Sequence, residues 1–268
     1  MRILIFDSGL GGLTVHDPVR AARPDAEILY LADDAVFPYG GLDEDVLVAR
    51  VLDVVLPVAA QFAPDIVVIA CNTASTLVLP HLRARLTQPV VGTVPAIKPA
   101  AERSQSRLIS VLATPGTVRR DYTHDLVARY AGDCAVTLVG CRHLATLAEA
   151  ALHGEQPADA DILAEIAPAF VESDGRRTDF VVLACTHYPL LMDRLTALAP
   201  WPVTMIDPGP AIARRVVQLA GPAVDGAQTG GGTALFSSGR APSPALAAAL
   251  AARGLSTAAL PVSAPSRG

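Results

Sequence analysis

Short runs that are apolar at nearly every position recur along the chain at residues 3–6, 27–31, 66–70, 90–94, 108–113, 136–139, 180–184 and 203–206. Each is closed by a polar residue or a glycine turn, and stretches with a helical period separate them. This alternation predicts an α/β architecture. Because the runs are apolar at every position rather than every second one, the strands are expected to be covered by helices on both faces, which is the environment of a largely parallel sheet. Ligands then belong outside the carboxyl ends of the strands.

The pattern also repeats. Asp65-Ile-Val-Val-Ile-Ala-Cys71 returns as Asp179-Phe-Val-Val-Leu-Ala-Cys185, and Arg2-Ile-Leu-Ile-Phe-Asp7-Ser8 returns, at a similar interval, in Arg107-Leu-Ile-Ser-Val-Leu-Ala-Thr114. The expected fold is two similar α/β domains with mainly parallel sheets, related by pseudo-twofold symmetry, with the active site in the cleft between them. Prolines 95 and 99 bracket one seam, and Asp207-Pro-Gly-Pro210 forms a second. The domains are therefore placed at residues 1–97 plus 208–262 and at 98–207, with a frayed tail at 263–268. Within the returning segment the pattern predicts a helix over 211–219, a flexible glycine-rich stretch at 226–232, a short strand at 233–236 and an alanine-rich helix from Pro244 to about Arg253.

Composition narrows the function. The chain has 268 residues, 51% of them hydrophobic and 18% charged, with a net charge of −5. That describes a globular protein rather than a disordered one, and no basic block invites nucleic acid. The first apolar run is too short for a signal peptide and no run is long enough to span a bilayer, so a cytoplasmic protein without a membrane partner is expected. The cysteines, Cys71, Cys134, Cys141 and Cys185, are expected to be free thiols. Lys98, the one lysine, lies between Ile97 and Pro99, which disfavours cofactor chemistry through a lysine Schiff base.

A cysteine where a parallel strand meets a helix sits in the field of the helix N-terminus, which favours the thiolate. Both Cys71 and Cys185 are expected to have that placement. If the halves face each other, the two thiols approach one carbon from opposite sides, which is the arrangement that racemisation or epimerisation requires. A lone buried cysteine is more often a small apolar residue, but the matched pair, followed by Asn72-Thr73 and by Thr186-His187, favours chemistry. Cys134 and Cys141 lack this context. A zinc site built from Cys134, Cys141 and His143 matches no paired-cysteine spacing.

Other polar residues at strand ends acquire roles from this frame. Asp7 to Thr14 leave the first strand through a glycine-rich turn whose N–H groups could hold a carboxylate. It is not a dinucleotide fingerprint, because Thr14 stands where that pattern needs a small residue. Asp7 is expected to move a proton, to hold a substrate ammonium, or simply to cap the helix. His187, with an ordinary pKa near ~6.5, is expected to hydrogen-bond the Cys185 thiol or to relay its proton. The Phe37-Pro38-Tyr39-Gly40 turn offers backbone N–H groups and a phenol, or is a tight turn with Tyr39 packed on the surface. Thr114 and Thr117 occupy in the second half the place of Asp7 and Ser8 in the first.

Phe6-Asp7-Ser8-Gly-Leu-Gly-Gly-Leu-Thr14, Phe37-Pro38-Tyr39-Gly40, Ala70-Cys71-Asn72-Thr73-Ala74-Ser75 and Ala184-Cys185-Thr186-His187-Tyr188-Pro189 together resemble the glutamate racemases, cofactor-independent enzymes that supply D-glutamate for peptidoglycan. The resemblance runs from Ile3 to about Asp207. It implies two α/β domains with glutamate between them, a homodimer, no cofactor and no metal. It implies that Cys71 and Cys185 are the acid/base pair, acting on the D- and L-enantiomer respectively, assisted by Asp7 and His187. It also implies that Asp7, Ser8, Tyr39, Gly40, Asn72, Thr73, Thr186 and His187 contact the substrate, with Thr114 and Thr117 as further candidates. The chain departs from the family at Val36-Phe37, before the Pro-Tyr-Gly turn, and at Cys141-Arg-His-Leu, where a proline commonly follows the cysteine; Glu149 beyond it is left without a role. The N-terminal extension of activator-regulated members is not seen ahead of the first strand, so activation by a nucleotide precursor is not expected.

Three other readings compete. An aspartate or hydantoin racemase, or a one-thiol decarboxylase, shares the superfamily, but Cys185-Thr186-His187 and the retention of both thiols favour glutamate. A non-catalytic two-lobed amino-acid-binding protein suits the same cleft but needs neither thiol. A pyridoxal phosphate racemase would have to use Lys98.

Overall fold

The computed structural model describes residues 1–223 and 228–260. The expected tail at 263–268, and residues 226 and 227 of the glycine-rich stretch, lie outside the described residues. The strands are β1 (Arg2–Asp7), β2 (Glu27–Ala32), β3 (Ile66–Ile69), β4 (Val90–Gly92), β5 (Leu108–Ala113), β6 (Ala135–Gly140), β7 (Glu172–Ser173), β8 (Arg176–Arg177), β9 (Phe180–Ala184), β10 (Thr204–Ile206), β11 (Gly232–Phe236) and β12 (Leu255–Ala259).

They form two parallel sheets and one small hairpin. The first sheet has the order β12-β11-β2-β1-β3-β4, the second β10-β9-β5-β6, and β7 pairs with β8. Read from β2, the first sheet runs β2-β1-β3-β4; the second runs β6-β5-β9-β10. The two orders correspond strand for strand, so the repeat in the sequence is a repeat in topology. Cys71 follows β3 and Cys185 follows β9, at equivalent places.

The continuous apolar runs have a simple cause. Successive side chains of a strand point to opposite faces, and both faces of the first sheet are covered. Ile3 and Ile5 enter a core with Val15, Val19, Ile212 and Val216 from the helices Leu13–Ala22 and Gly209–Ala220. Leu4 and Phe6 enter the opposite core with Val51, Val55 and Val78 from the helices Glu44–Phe62 and Asn72–Arg83. The second sheet is covered in the same way, with Val181 and Leu183 on one side and Phe180 and Val182 on the other. The helix Ile97–Arg103, at the first seam, packs against β9 of the second sheet, and Gly209–Ala220 carries the chain back to the first.

Several boundaries differ from those expected. The strand expected at 66–70 stops at Ile69, that at 90–94 stops at Gly92, and β10 begins at Thr204 rather than 203. Gly232, expected in a flexible stretch, opens β11 and pairs with Ile28 and Leu255. Edge strand β12 was not expected because only Leu255 of its five residues is buried, leaving no apolar run to read. The β7–β8 hairpin is exposed throughout and too short to leave a periodic signal.

Truncation of Ile5, which is fully buried between β2 and β3, is expected to cost about 2–5 kcal/mol. Leu163→Ala, at a side chain 40% exposed, is expected to stay within about 0.5 kcal/mol. Urea unfolding midpoints of the two variants check this contrast.

Candidate active site

The carboxyl ends of the central strands of both sheets meet. β1 ends at Asp7 and leads to Ser8; β3 leads to Cys71, β5 to Thr114 and β9 to Cys185. Thr186 Oγ1 donates to Asp7 Oδ1 at 3.2 Å, joining the end of β9 to the end of β1. Thr73 Oγ1 lies 2.9 Å from Thr114 Oγ1 and 3.1 Å from Thr117 Oγ1, which are themselves 3.1 Å apart. Cys71 Sγ donates to Ser8 Oγ at 3.5 Å. Asp7, Ser8, Cys71, Thr73, Thr114, Thr117, Cys185 and Thr186 are all buried, so these contacts sit inside the join between the sheets.

The two thiols do not share one local setting. Cys71 is the N-cap of the helix Asn72–Arg83, and its sulfur accepts the Ala74 N–H at 3.5 Å. Cys185 is instead followed by a 3₁₀ turn, Tyr188–Leu191, with Pro189 in its first positions, and the helix Met192–Leu198 begins only after it. The expectation that both cysteines head an α-helix is corrected for Cys185. The expectation of a helix-favoured thiolate is corrected for Cys71: burial, seconded by the neighbouring Asp7 carboxylate, pushes its thiol up to about 12. Desolvation outweighs the helix terminus here.

The glycine-rich turn after β1 does hold a carboxylate, but it belongs to the protein. Gly9 N–H donates to Asp7 Oδ2 at 3.1 Å, and Leu10 N–H donates to Glu149 Oε2 at 3.0 Å. Glu149 in turn lies 2.6 Å from His187 Nε2, whose Nδ1 is 3.9 Å from Cys185 Sγ. The structure thus assembles a Cys185–His187–Glu149 row. The Gly11 N–H points at His187 Nε2 from 3.1 Å. With the proton on the ring, Nε2 donates to Glu149; with it on Glu149, Nε2 accepts from Gly11. A Cβ at position 11 would stand 2.2 Å from His187 Nδ1, so only glycine fits. The Phe37 ring covers the imidazole at a centroid distance of 5.0 Å.

Burial is the largest influence and acts against a charged His187, but the Glu149 carboxylate and Cys185 together outweigh it and hold the imidazole pKa well above its ordinary value. Burial raises the Asp7 carboxyl; Glu149 adds to that rise and His187 opposes it. Asp7 does not cap the helix Leu13–Ala22, whose N-cap is Gly12.

Asn72 is buried, and neither atom of its carboxamide has a protein partner. Buried amides are rarely left unpaired, which marks Asn72 as the side chain in the join best placed to receive a polar guest. Tyr39, the alternative surface residue of its turn, is buried, and its hydroxyl donates to Asp33. Asp33 also accepts Arg50 Nε at 2.8 Å and Ser237 Oγ at 2.5 Å, tying the turn to the end of β11. Gly40 packs on Thr114, where a Cβ would come within 2.9 Å of Thr114 Cβ. A cavity of about 390 Å³ opens onto Gly40 and Thr114, with Arg119, Arg142 and His143 around it. Lys98 is far from this chemistry in character, exposed and paired with Glu102 at 3.7 Å. Among the described residues no group of three or more His, Cys, Asp or Glu is placed to hold a metal, which removes the zinc reading of Cys134, Cys141 and His143. No described helix is long and apolar enough to cross a membrane.

Glu149, Asp33, Arg50 and Ser237 carry no role in the sequence reading. A signal for Glu149 was present: on the helix Leu144–Leu152 it shares a buried face with Leu144, Ala145 and Ala148, and an acid on an apolar stripe needs a partner.

Residues 15–216 match the family model for Asp/Glu/Hydantoin racemase. The chain belongs to this family. It is 58% identical to a glutamate racemase of Brucella anthropi over 82% of this chain and 80% of the relative. Among solved structures it is similar to the Escherichia coli glutamate racemase in complex with L-glutamate and its activator UDP-MurNAc-Ala. That match has a TM-score of 0.88 and 39% identity, and covers 96% of this chain and 97% of the other. A Bacillus anthracis glutamate racemase matches with a TM-score of 0.81 and 25% identity, covering 97% of each chain.

Glu149→Gln is expected to lower the His187 imidazole pKa, because the carboxylate that most opposes the effect of burial is removed. The raised pKa stabilises the fold fully below the ordinary imidazole value of about 6.5 and ceases to do so as pH rises through the folded-state value. The stability gap between wild type and variant should therefore be widest on the acid side and close on the alkaline side. Imidazole NMR titration and melting temperatures across that range measure both effects.

Proposed function

We propose that this protein interconverts L- and D-glutamate without a cofactor, by proton transfer between the substrate α-carbon and two thiols, and supplies D-glutamate for peptidoglycan. The observation that carries this reading is the equivalence of Cys71 and Cys185, each at the end of a matched strand in a matched sheet, with the strand ends facing each other. The glutamate racemases among its relatives support glutamate as the substrate.

In the L-to-D direction the Cys185 thiolate removes the α-proton from one face, and the Cys71 thiol delivers its own proton to the opposite face. The C–H electron pair stays on the α-carbon and its carboxylate until the new C–H bond forms, so hydrogen-bond donors at that carboxylate are needed. The Asn72 carboxamide, with Ser8, Thr73 and Thr186, is assigned to the amino-acid head of the substrate. Tyr39, Gly40, Thr114 and Thr117 are assigned to the rest of it. Asp7 stands beside Cys71, and His187 beside Cys185, to assist each transfer.

The high thiol pKa of Cys71 fits this scheme. A buried acid must keep its proton until a carbanion claims it. A substrate ammonium held near Asp7 then lowers the cost of a thiolate for the reverse step. We further take the lobes to be residues 1–97 plus 208–262 and 98–207, and the working form to be a cytoplasmic homodimer.

The test is incubation with L-glutamate in deuterated water without added cofactor, followed by circular dichroism and α-proton exchange. Wild type is expected to racemise, and Cys71→Ala and Cys185→Ala each to lose at least about 10²-fold, the usual worth of a positioned acid or base. Exchange with aspartate but not glutamate would move the substrate within the family; no exchange with either would remove the enzymatic reading.

A further inference from the structure

A two-thiol racemase is left altered by its own turnover. After L becomes D, Cys185 holds the proton it removed and Cys71 lacks the one it gave. Before the next L-glutamate can react, Cys185 must lose a proton and Cys71 must regain one. Cys185 and Cys71 are 6% and 5% exposed, so neither proton moves freely, and Cys185 has an imidazole beside it to carry its own.

One route is laid out in the structure. Cys185 Sγ is 3.9 Å from His187 Nδ1, and His187 Nε2 is 2.6 Å from Glu149 Oε2. Glu149 Oε2 also accepts Leu10 N–H, whereas Oε1 has no hydrogen-bond partner among the described residues. Oε1 is not a sealed orphan either, since it is absent from the buried polar atoms left unpaired and the Glu149 side chain retains 12% exposure. Glu149 forms one wall of a cavity of about 460 Å³, whose other walls include Asp34, His153, Arg240, Ala241 and Ser243. A space of that size with polar walls holds several waters, each taking about 30 Å³. Cys185 and His187 line neither this cavity nor its mouth; Glu149 alone joins the row to it.

Resting on the racemase reading above, we infer that the cavity beside Glu149 is the port through which Cys185 exchanges its proton with solvent, with His187 and Glu149 as the relay. With the imidazole neutral and its proton on Nε2, the thiol proton passes from Sγ to Nδ1 as the Nε2 proton passes to the Glu149 carboxylate at Oε2; the carboxyl group then turns its O–H to the cavity side and gives that same proton to water. The protein loses one proton through this port. Cys71 regains one from solvent through the substrate cleft once the product has left.

The test plugs the port without touching the relay. Ala241→Trp and His153→Trp place bulk on two separate walls at exposed positions. Each variant is assayed beside wild type in both directions, at low and saturating glutamate, in light and heavy water, after its melting temperature confirms folding. The reset occurs in the free enzyme after product release, so it enters kcat and not kcat/KM. The expected result is a saturating rate lowered at least about fivefold, kcat/KM held within about twofold, and a larger solvent isotope effect on the saturating rate. Unchanged saturating rates in both variants would overturn the port. So would a fall in kcat/KM, which would make the cavity the substrate's path, or a lower rate with a smaller isotope effect, which would signal slow product release. Wild type that racemises no glutamate would instead remove the reading on which the port rests.

Discussion

The contact between Glu149 and His187, seated on the N–H groups of Leu10 and Gly11, is the interaction on which the join between the lobes depends. A carboxylate and an imidazole taken out of water are costly to hold unless each is fully supplied with partners. The acid comes from a helix beside the second sheet and the imidazole from the end of β9, while the amides that receive them come from the turn after β1. Neither lobe by itself supplies a complete set. The pair is therefore satisfied only when the two sheets present their strand ends to each other, and that same approach brings Cys185 and Cys71 into one buried region.

That burial governs the acid–base character of everything nearby. The helix terminus under Cys71 favours a thiolate, yet the loss of water and the proximity of Asp7 drive its thiol to about 12. The protein at rest thus stores the proton on Cys71.

Much of this was legible in the sequence. The doubly covered sheets show as runs such as Ile3 to Phe6, apolar at every position because both faces of the strand are buried. The repeat shows because the two Cys-ending strands keep almost the same residues. Other features were hidden for definite reasons. Glu149 is 38 residues from His187, and Asp33 is joined to Ser237 across nearly the whole chain; long-range pairing leaves no local pattern. The turn after Cys185 is a single 3₁₀ turn, Tyr188–Leu191, too short to leave a period that tells it from the start of an α-helix. The raised pKa of the Cys71 thiol runs against the sequence expectation because a sequence displays the helix terminus but not the depth of burial.

The hydroxyls of Thr73, Thr114 and Thr117 form a closed triangle that fastens one lobe to the other. A hydroxyl is both donor and acceptor, and its hydrogen turns freely about the C–O bond, so such a triangle has no fixed polarity. It can run clockwise, run the other way, or turn all its hydrogens toward an arriving anion. In the last case the atoms that clasp the lobes become the atoms that hold the guest, and the clasp gives up its own hydrogen bonds to do so. Release of the clasp and reception of an anion would then be one rearrangement of three hydrogens.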